Sequence, residues 1–203
     1  MLSAILLAAG SSRRMGAHNN KLLLPWHERT IVASTAANLL AAGLKEVIVV
    51  TGYEAPKIID ALKCLPLQFT HNPAFDDGMT SSIQTGVREA HGDGYMICLA
   101  DMVLISPAEY AQLASAWEQQ YLLDPYCIGI PEYRGEKGNP VIFPAALRVS
   151  ILSHPEKEGC RELVRHNQSH QLHIDMPYDH ILRDIDRPED YALLNAVTKH
   201  PKL

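Results

Sequence analysis

The segment Gly10-Ser11-Ser12-Arg13-Arg14-Met15-Gly16, followed by Lys21, combines glycine, small hydroxyl residues and cations. Small residues leave backbone N–H groups accessible, so a polyanion can approach closely. Arg14 and Lys21 supply cations able to neutralise a triphosphate. The segment is neither GxxxxGK[ST] nor GxGxxG, so it is neither a Walker A loop nor a dinucleotide fingerprint. On residue types alone two readings stay open, a phosphate cradle or a solvated loop after a strand.

Carboxylates offer the matching chemistry. Asp101 directly follows the apolar run Tyr95–Ala100. A carboxylate at the tip of a buried strand can hold a hard cation such as Mg²⁺, or it can be an ordinary turn aspartate. Asp184 and Asp186 precede Arg187-Pro188-Glu189-Asp190. Asp before Pro is good helix-start chemistry, and a second carboxylate on the same metal is the functional reading. His71-Asn72-Pro73 and Gly78-Met79-Thr80-Ser81-Ser82 offer short polar groups and the free amides of a helix start, which suit a base edge or ribose as well as plain capping.

Other constellations carry less. His166, His170 and His173 have helical spacing, but no cysteine or acid is spaced with them, and they read as an exposed run. Cys64, Cys98, Cys127 and Cys160 form no CxxC pair and read as reduced, core-filling thiols. There is no G-x-S-x-G elbow.

These residues need a frame. Leu2–Ala8, Glu46–Thr51, Leu67–Thr70 and Tyr95–Ala100 read as strands, the first, second and fourth as dense apolar runs. Between and after them, Thr30–Ala42, Pro56–Leu62, Ser81–Ala90 and Pro107–Gln120 read as helices, with Ser106 an N-cap and Gly43 a stop. Tyr126–Ile130 and Val141–Phe143 are further strands, 131–139 a polar surface loop, and Pro188–Val197 a last helix. Alternation of this kind predicts an α/β fold, a single domain over 1–203 with a doubly wound, mostly parallel sheet of Rossmann-like type. In such sheets ligands sit beyond the carboxyl ends of strands, where Gly10 and Asp101 fall.

The chain has 203 residues, 47% of them hydrophobic, and a formal net charge of −5. That is enough for a substantial core, and the overall charge argues against a nucleic-acid partner. No apolar run approaches the length of a membrane span, and the first ten residues lack a secretory signal's order. A cytoplasmic protein with no membrane partner is expected.

Beyond these readings the sequence resembles a known family. Leu7-Ala8-Ala9-Gly10-Ser11-Ser12-Arg13-Arg14-Met15-Gly16 with Lys21-Leu22-Leu23-Leu24-Pro25 is similar to the signature of nucleotidyltransferases with the nucleotide-diphospho-sugar transferase fold. Val50-Thr51-Gly52-Tyr53, Asn72 with Gly78-Met79 and Ser82, Gly138-Asn139-Pro140-Val141, and Asp184-Ile185-Asp186 with Pro188-Glu189-Asp190 narrow it. In that order they resemble the molybdenum cofactor cytidylyltransferases among the MobA-like NTP transferases. Departures are Val103, where the family usually has proline, and Gly159-Cys160-Arg161, which lacks the longer Gly-Asp-x-Gly-Ala-Arg pattern of many relatives.

The resemblance implies roles. Backbone groups of Ala8, Ala9 and Gly10 would contact base and phosphates, Arg14 and Lys21 the triphosphate, and Asn72 and Ser82 the ribose and base. Asp101 and Asp186 would hold Mg²⁺, with Mn²⁺ an alternative, and Arg14, Lys21 and Asp101 would be the catalytic set. Asn139 and Pro140 would face the acceptor. The Ala9-Gly10 pair resembles the cytidylyl branch, so CTP is expected ahead of GTP, with a molybdopterin-type acceptor and a client molybdoenzyme as partners. Two alternatives stand beside this: a nucleotidyltransferase acting on a sugar or polyol phosphate, and a non-catalytic nucleotide- or pterin-binding assembly factor.

Overall fold

The computed structural model describes residues 1–15 and 20–199, so Gly16 of the glycine-basic segment lies outside the described residues. β1 (Leu2–Ala8) lies inside the main sheet and pairs in parallel with β4 (Glu46–Thr51) on one side and β6 (Gly94–Leu99) on the other. β5 (Gln68–His71) extends the β4 side in parallel. The chain therefore runs from β1 outward through β4 to β5, then returns across β1 to β6. The order reverses between β1 and β6, and a crevice opens there at the carboxyl ends of the strands.

Beyond β6 the sheet is mixed. β9 (Val141–Pro144) is antiparallel to β6 and to β7 (Ile128–Tyr133), and β10 (Gln171–Asp175) runs parallel to β7 at the edge. The stretch 131–139 is not all loop. β7 continues to Tyr133, turns through Arg134 and Gly135, and pairs back through β8 (Glu136–Lys137). A short antiparallel pair, β2 (Pro25–Trp26) with β3 (Arg29–Thr30), leads into the first helix.

Period-two alternation divides the core. Leu2, Ala4, Leu6 and Ala8 of β1 pack with Val47, Val49, Met96 and Cys98 on one face. That face is covered by α1 (Ile31–Ala41), α2 (Ala55–Leu62) and α4 (Pro107–Tyr121). Ile5, Ile48, Val50, Tyr95 and Ile97 face the other side, against α3 (Met79–Glu89), α5 (Arg148–Leu152) and α6 (Arg161–His166). α7 (Pro188–Lys199) follows the last strand. Helices on both faces make the sheet doubly wound. Cys98, Cys127 and Cys160 are buried, whereas Cys64 is exposed, against the expectation that all four fill the core. Among the described residues no helix is long and apolar enough to cross a membrane.

Ser106 and Glu109 close a capping box at the start of α4. Glu109 is buried, and its carboxylate accepts from the Ser106 N–H at 2.9 Å and hydroxyl at 2.7 Å and faces His180 Nδ1 at 3.0 Å. Burial alone would raise its pKa, but His180 and the Ser106 donors outweigh it and hold the pKa low. A depressed carboxylate pKa contributes stability above the unfolded value of about 4.3 and loses it as pH falls through the folded value. Glu109→Gln is expected to destabilise the fold at pH 7 by roughly 1–3 kcal/mol, the scale of a charged hydrogen bond. Urea melts between pH 7 and pH 3 check this, because the gap to wild type should close on the acid side.

Candidate active site

The crevice at the β1/β6 reversal is an open cleft of about 990 Å³, lined among others by Gly10, Arg14, Lys21, Ser82, Asp101, Asn139, Asp184 and Asp186. Each arrives there for a local reason. The Leu7↔Leu99 register of β1 and β6 sets Gly10 and Asp101 on adjacent strand tips, and Ala100 N–H donates to the Leu7 carbonyl at 3.3 Å. Gly52 lies so close beneath Ala9 that an added Cβ would stand 2.8 Å from the Ala9 Cβ and carbonyl oxygen. This explains glycine after β4. Tyr53 N–H then donates to the Ala9 carbonyl at 3.0 Å and fixes the start of the turn.

Lys21 sits on a short 3-10 turn, Lys21–Leu23, capped by the Asn20 side chain, which accepts from Leu22 N–H at 3.2 Å. The buried Leu22 anchors that turn. The Ser12 hydroxyl, from a residue with φ of 51°, accepts from Lys21 N–H at 3.2 Å. Ser12 thus ties the glycine turn to the lysine, a positioning role that residue type alone did not signal.

Asp184 and Asp186 flank Ile185, which is fully buried and whose N–H donates to the Asp101 carbonyl at 3.3 Å. In extended backbone, alternate side chains point the same way, so pinning Ile185 inward turns both carboxylates toward the cleft. Asp190 Oδ2 accepts from Asp186 N–H at 3.1 Å and Arg187 N–H at 2.8 Å. Helix capping and cleft lining, the two readings of this segment, are both present.

The charges meet in one cluster. Lys21 Nζ lies 2.6 Å from Asp101 Oδ2 and 2.7 Å from Asp186 Oδ1, and Arg14 Nη1 pairs with Asp186 Oδ2. Burial alone would lower the Lys21 pKa, yet Asp101 and Asp186 outweigh it and hold the ammonium above its usual range. Burial would raise Asp186, but Lys21 and then Arg14 pull it below the carboxylate range. Asp184 is raised, first by burial and then by the like charges of Asp101 and Asp186.

Asp101, Asp184 and Asp186 present donor oxygens within 4.8 Å of one another. Asp101 Oδ1 is buried with no hydrogen-bond partner among the described residues. An orphaned carboxylate oxygen beside two more carboxylates fits a hard divalent cation, which takes oxygen ligands.

Other expected residues sit less directly on the cleft. Asn72 is buried, and its amide spans Ser81 Oγ at 2.8 Å, Ser82 Oγ at 3.0 Å and Ala74 N–H at 3.0 Å. It reaches the cleft through Ser82. The Ala8 side chain is in the core and Pro140 is buried, so only their backbones are candidates for contact. Asn139 stands on the wall, its N–H donating to the Ile181 carbonyl at 3.0 Å. His170 and His173 pair separately with Asp124 and Glu132, so the three histidines do not converge.

A doubly wound sheet with this cation–carboxylate cleft at its reversal point is the architecture of a nucleotidyltransferase. The chain belongs to the MobA-like NTP transferase domain family, whose profile matches residues 4–172. It is 27% identical over 197 residues to nicotine blue oxidoreductase of Paenarthrobacter nicotinovorans, covering 95% of this chain and 96% of that one. It is 23% identical over 191 residues to molybdenum cofactor cytidylyltransferase of Escherichia coli K12, covering 94% and 93%. A nucleotidyl transferase structure from Methanothermobacter thermautotroptrophicus superposes with a TM-score of 0.85 at 26% identity, covering 97% and 96%.

Proposed function

We propose that the protein transfers CMP from CTP to the terminal phosphate of a molybdopterin-type acceptor and releases pyrophosphate. The observation that carries this is the Lys21 ammonium set between Asp101 and Asp186 at the strand tips beside Gly10. The Ala9-Gly10 pair and the likeness to the Escherichia coli cytidylyltransferase support the choice of base and acceptor.

An oxygen of the ionised acceptor phosphate attacks the α-phosphorus. The bond from that phosphorus to the bridging oxygen breaks, and pyrophosphate leaves with the electron pair. The acceptor needs no deprotonation, so the work left to the protein is alignment and charge neutralisation. Arg14 and Lys21 offset the repulsion between two polyanions, and Gly10 lets the backbone lie against the phosphates. Asp101 and Asp186, with Asp184 beside them, would hold Mg²⁺ or Mn²⁺, which adds further neutralisation when bound. Ser82, fixed by Asn72, faces the ribose and base, and Asn139 faces the acceptor.

Gly10 gives a sharp check. A Cβ built there meets nothing within 4 Å, and its φ lies outside the left-handed region. The protein itself therefore does not demand glycine, and any demand comes from what lies over it. Gly10→Ala is expected to melt no lower than wild type, since such replacements at compatible φ are neutral or stabilising by about 0.4–1 kcal/mol. Nucleotide affinity, read by calorimetry, should fall at least about tenfold.

The reaction is tested by measuring pyrophosphate with CTP, GTP, ATP or UTP and with molybdenum cofactor, sugar phosphates or methylerythritol phosphate. Release is expected with CTP and molybdenum cofactor. Release only with a sugar or polyol phosphate moves the acceptor. Tight CTP binding without release supports an assembly factor.

A further inference from the structure

A second cluster of ligating groups lies between α5 and α6, on residues the transfer reaction does not use. His154 ends the turn after α5, its N–H donating to the Ile151 carbonyl at 3.2 Å and its carbonyl accepting from Gln84 Nε2 at 3.0 Å. Its side chain is 4% exposed. Nε2 is buried and has no hydrogen-bond partner among the described residues. A buried ring nitrogen with nothing to bond is a costly arrangement that calls for a ligand. Glu156 Oε2 lies 3.8 Å away, beyond a hydrogen bond. A donor oxygen of Glu162, on the first turn of α6, completes a set of three within 4.8 Å of one another. His166, one turn further along α6, places Nε2 3.9 Å from Glu162 Oε1.

We propose that His154, Glu156 and Glu162 form a second metal site, for a d-block divalent cation of the Zn²⁺ type, separate from the Asp101 cluster. Donors about 2.0–2.2 Å from zinc stand roughly 3.4 Å apart in tetrahedral geometry, so a set within 4.8 Å needs to close by at most about 1.4 Å. The imidazole decides the class of ion, because nitrogen donors favour zinc and its neighbours whereas Mg²⁺ favours oxygen. The two sites thus divide their ions by donor chemistry.

The position gives the ion a task. The loop it would brace docks on the start of α3: the Lys157 carbonyl accepts from Thr80 N–H at 3.3 Å, and Gly159 N–H donates to Thr80 Oγ1 at 3.0 Å. An added Cβ on Gly78 would come 2.5 Å from that same Lys157 carbonyl, so the contact is close. Glu158, Gly159, Cys160 and Arg161 line the cleft. A cation on His154, Glu156 and Glu162 would fasten both ends of this wall segment.

The test strips the full chain of metal with a chelator and adds Zn²⁺ in competition with a chromophoric chelator. It uses wild type and an Asp101→Asn protein whose carboxylate cluster is weakened. One equivalent should bind in both, unaffected by excess Mg²⁺, and should slow hydrogen exchange across 153–162. Co²⁺ in place of Zn²⁺ should give a visible absorption band. Glu156→Gln and Glu162→Gln alter partly exposed side chains and should fold normally, yet each should weaken Zn²⁺ binding at least about tenfold. Absence of a bound equivalent overturns the assignment, as does binding undiminished in both glutamine variants. Neither result bears on the transfer reaction, which is read by pyrophosphate.

Discussion

Asp101→Asn is expected to lower turnover by about two orders of magnitude or more, the scale of one lost transition-state contact, near 2.7 kcal/mol. The replacement keeps the shape of the side chain, so the strand tip and the Ile185 contact to its backbone carbonyl remain. What goes is one negative charge from a site where Lys21 Nζ lies 2.6 Å from that carboxylate. Lys21 keeps Asp186 as partner at 2.7 Å, so no cation is stranded and the melting temperature should change little. Asp184, held high by burial and by the charges of Asp101 and Asp186, should titrate lower once one like charge is gone. Steady-state pyrophosphate release and carboxyl NMR titration read the two effects. Near-normal turnover would remove Asp101 from the reaction.

Lys21→Met should be as damaging to turnover, by roughly two orders of magnitude, but with opposite signs elsewhere. The ammonium is the cation shared by Asp101 and Asp186; without it, Arg14 is left facing three carboxylates. Asp186 loses the cation that holds its pKa low, and Asp184, already raised by burial and like charges, rises further. A folded pKa above the unfolded one destabilises at higher pH, and that loss fades as pH falls through the folded value. The variant should therefore melt lower than wild type at pH 8, and the gap should narrow as pH falls into the carboxylate range. Divalent-cation affinity without nucleotide should rise, because a positive charge no longer competes for the same oxygens. Mn²⁺ titration followed by paramagnetic resonance reads this. A loss of both turnover and Mn²⁺ affinity would mean that Lys21 supports the carboxylates rather than competing with a cation for them.

The sequence showed the part of the fold that is dense in apolar residues. β1, β4 and β6 are short unbroken runs buried on both faces, and period and composition suffice for such strands. β10 escaped because it is an edge strand in which His173 and Asp175 are exposed and Gln171 only half-buried, so its polarity reads as loop. The β7–β8 hairpin escaped likewise, since Arg134, Gly135, Glu136 and Lys137 carry the signature of an exposed turn. At the cleft, Arg14, Lys21, Asp101 and Asp186 each had an ordinary reading as loop, turn or helix-start residues, and it was the resemblance that singled them out; the structure brings the four side chains together. Asp184 was left out of the expected metal set, and it joins Asp186 only because Ile185 turns both the same way. His154, Glu156 and Glu162 have no ligand-like spacing, and only the folding of the segment between α5 and α6, with α5 packed on α3, brings them together.

The dependence of the cleft on Ile185 also bears on how the protein is made. Domains fold as units, and every strand of the sheet precedes Asp184, so the acidic pair is among the last parts of the unit to be synthesised. A polypeptide cut short before this point would lack two of the three clustered carboxylates together with the core side chains of Ile185 and Leu194. The last stretch of the chain thus serves the acidic cluster and the packing at once, and neither can be shortened away without the other.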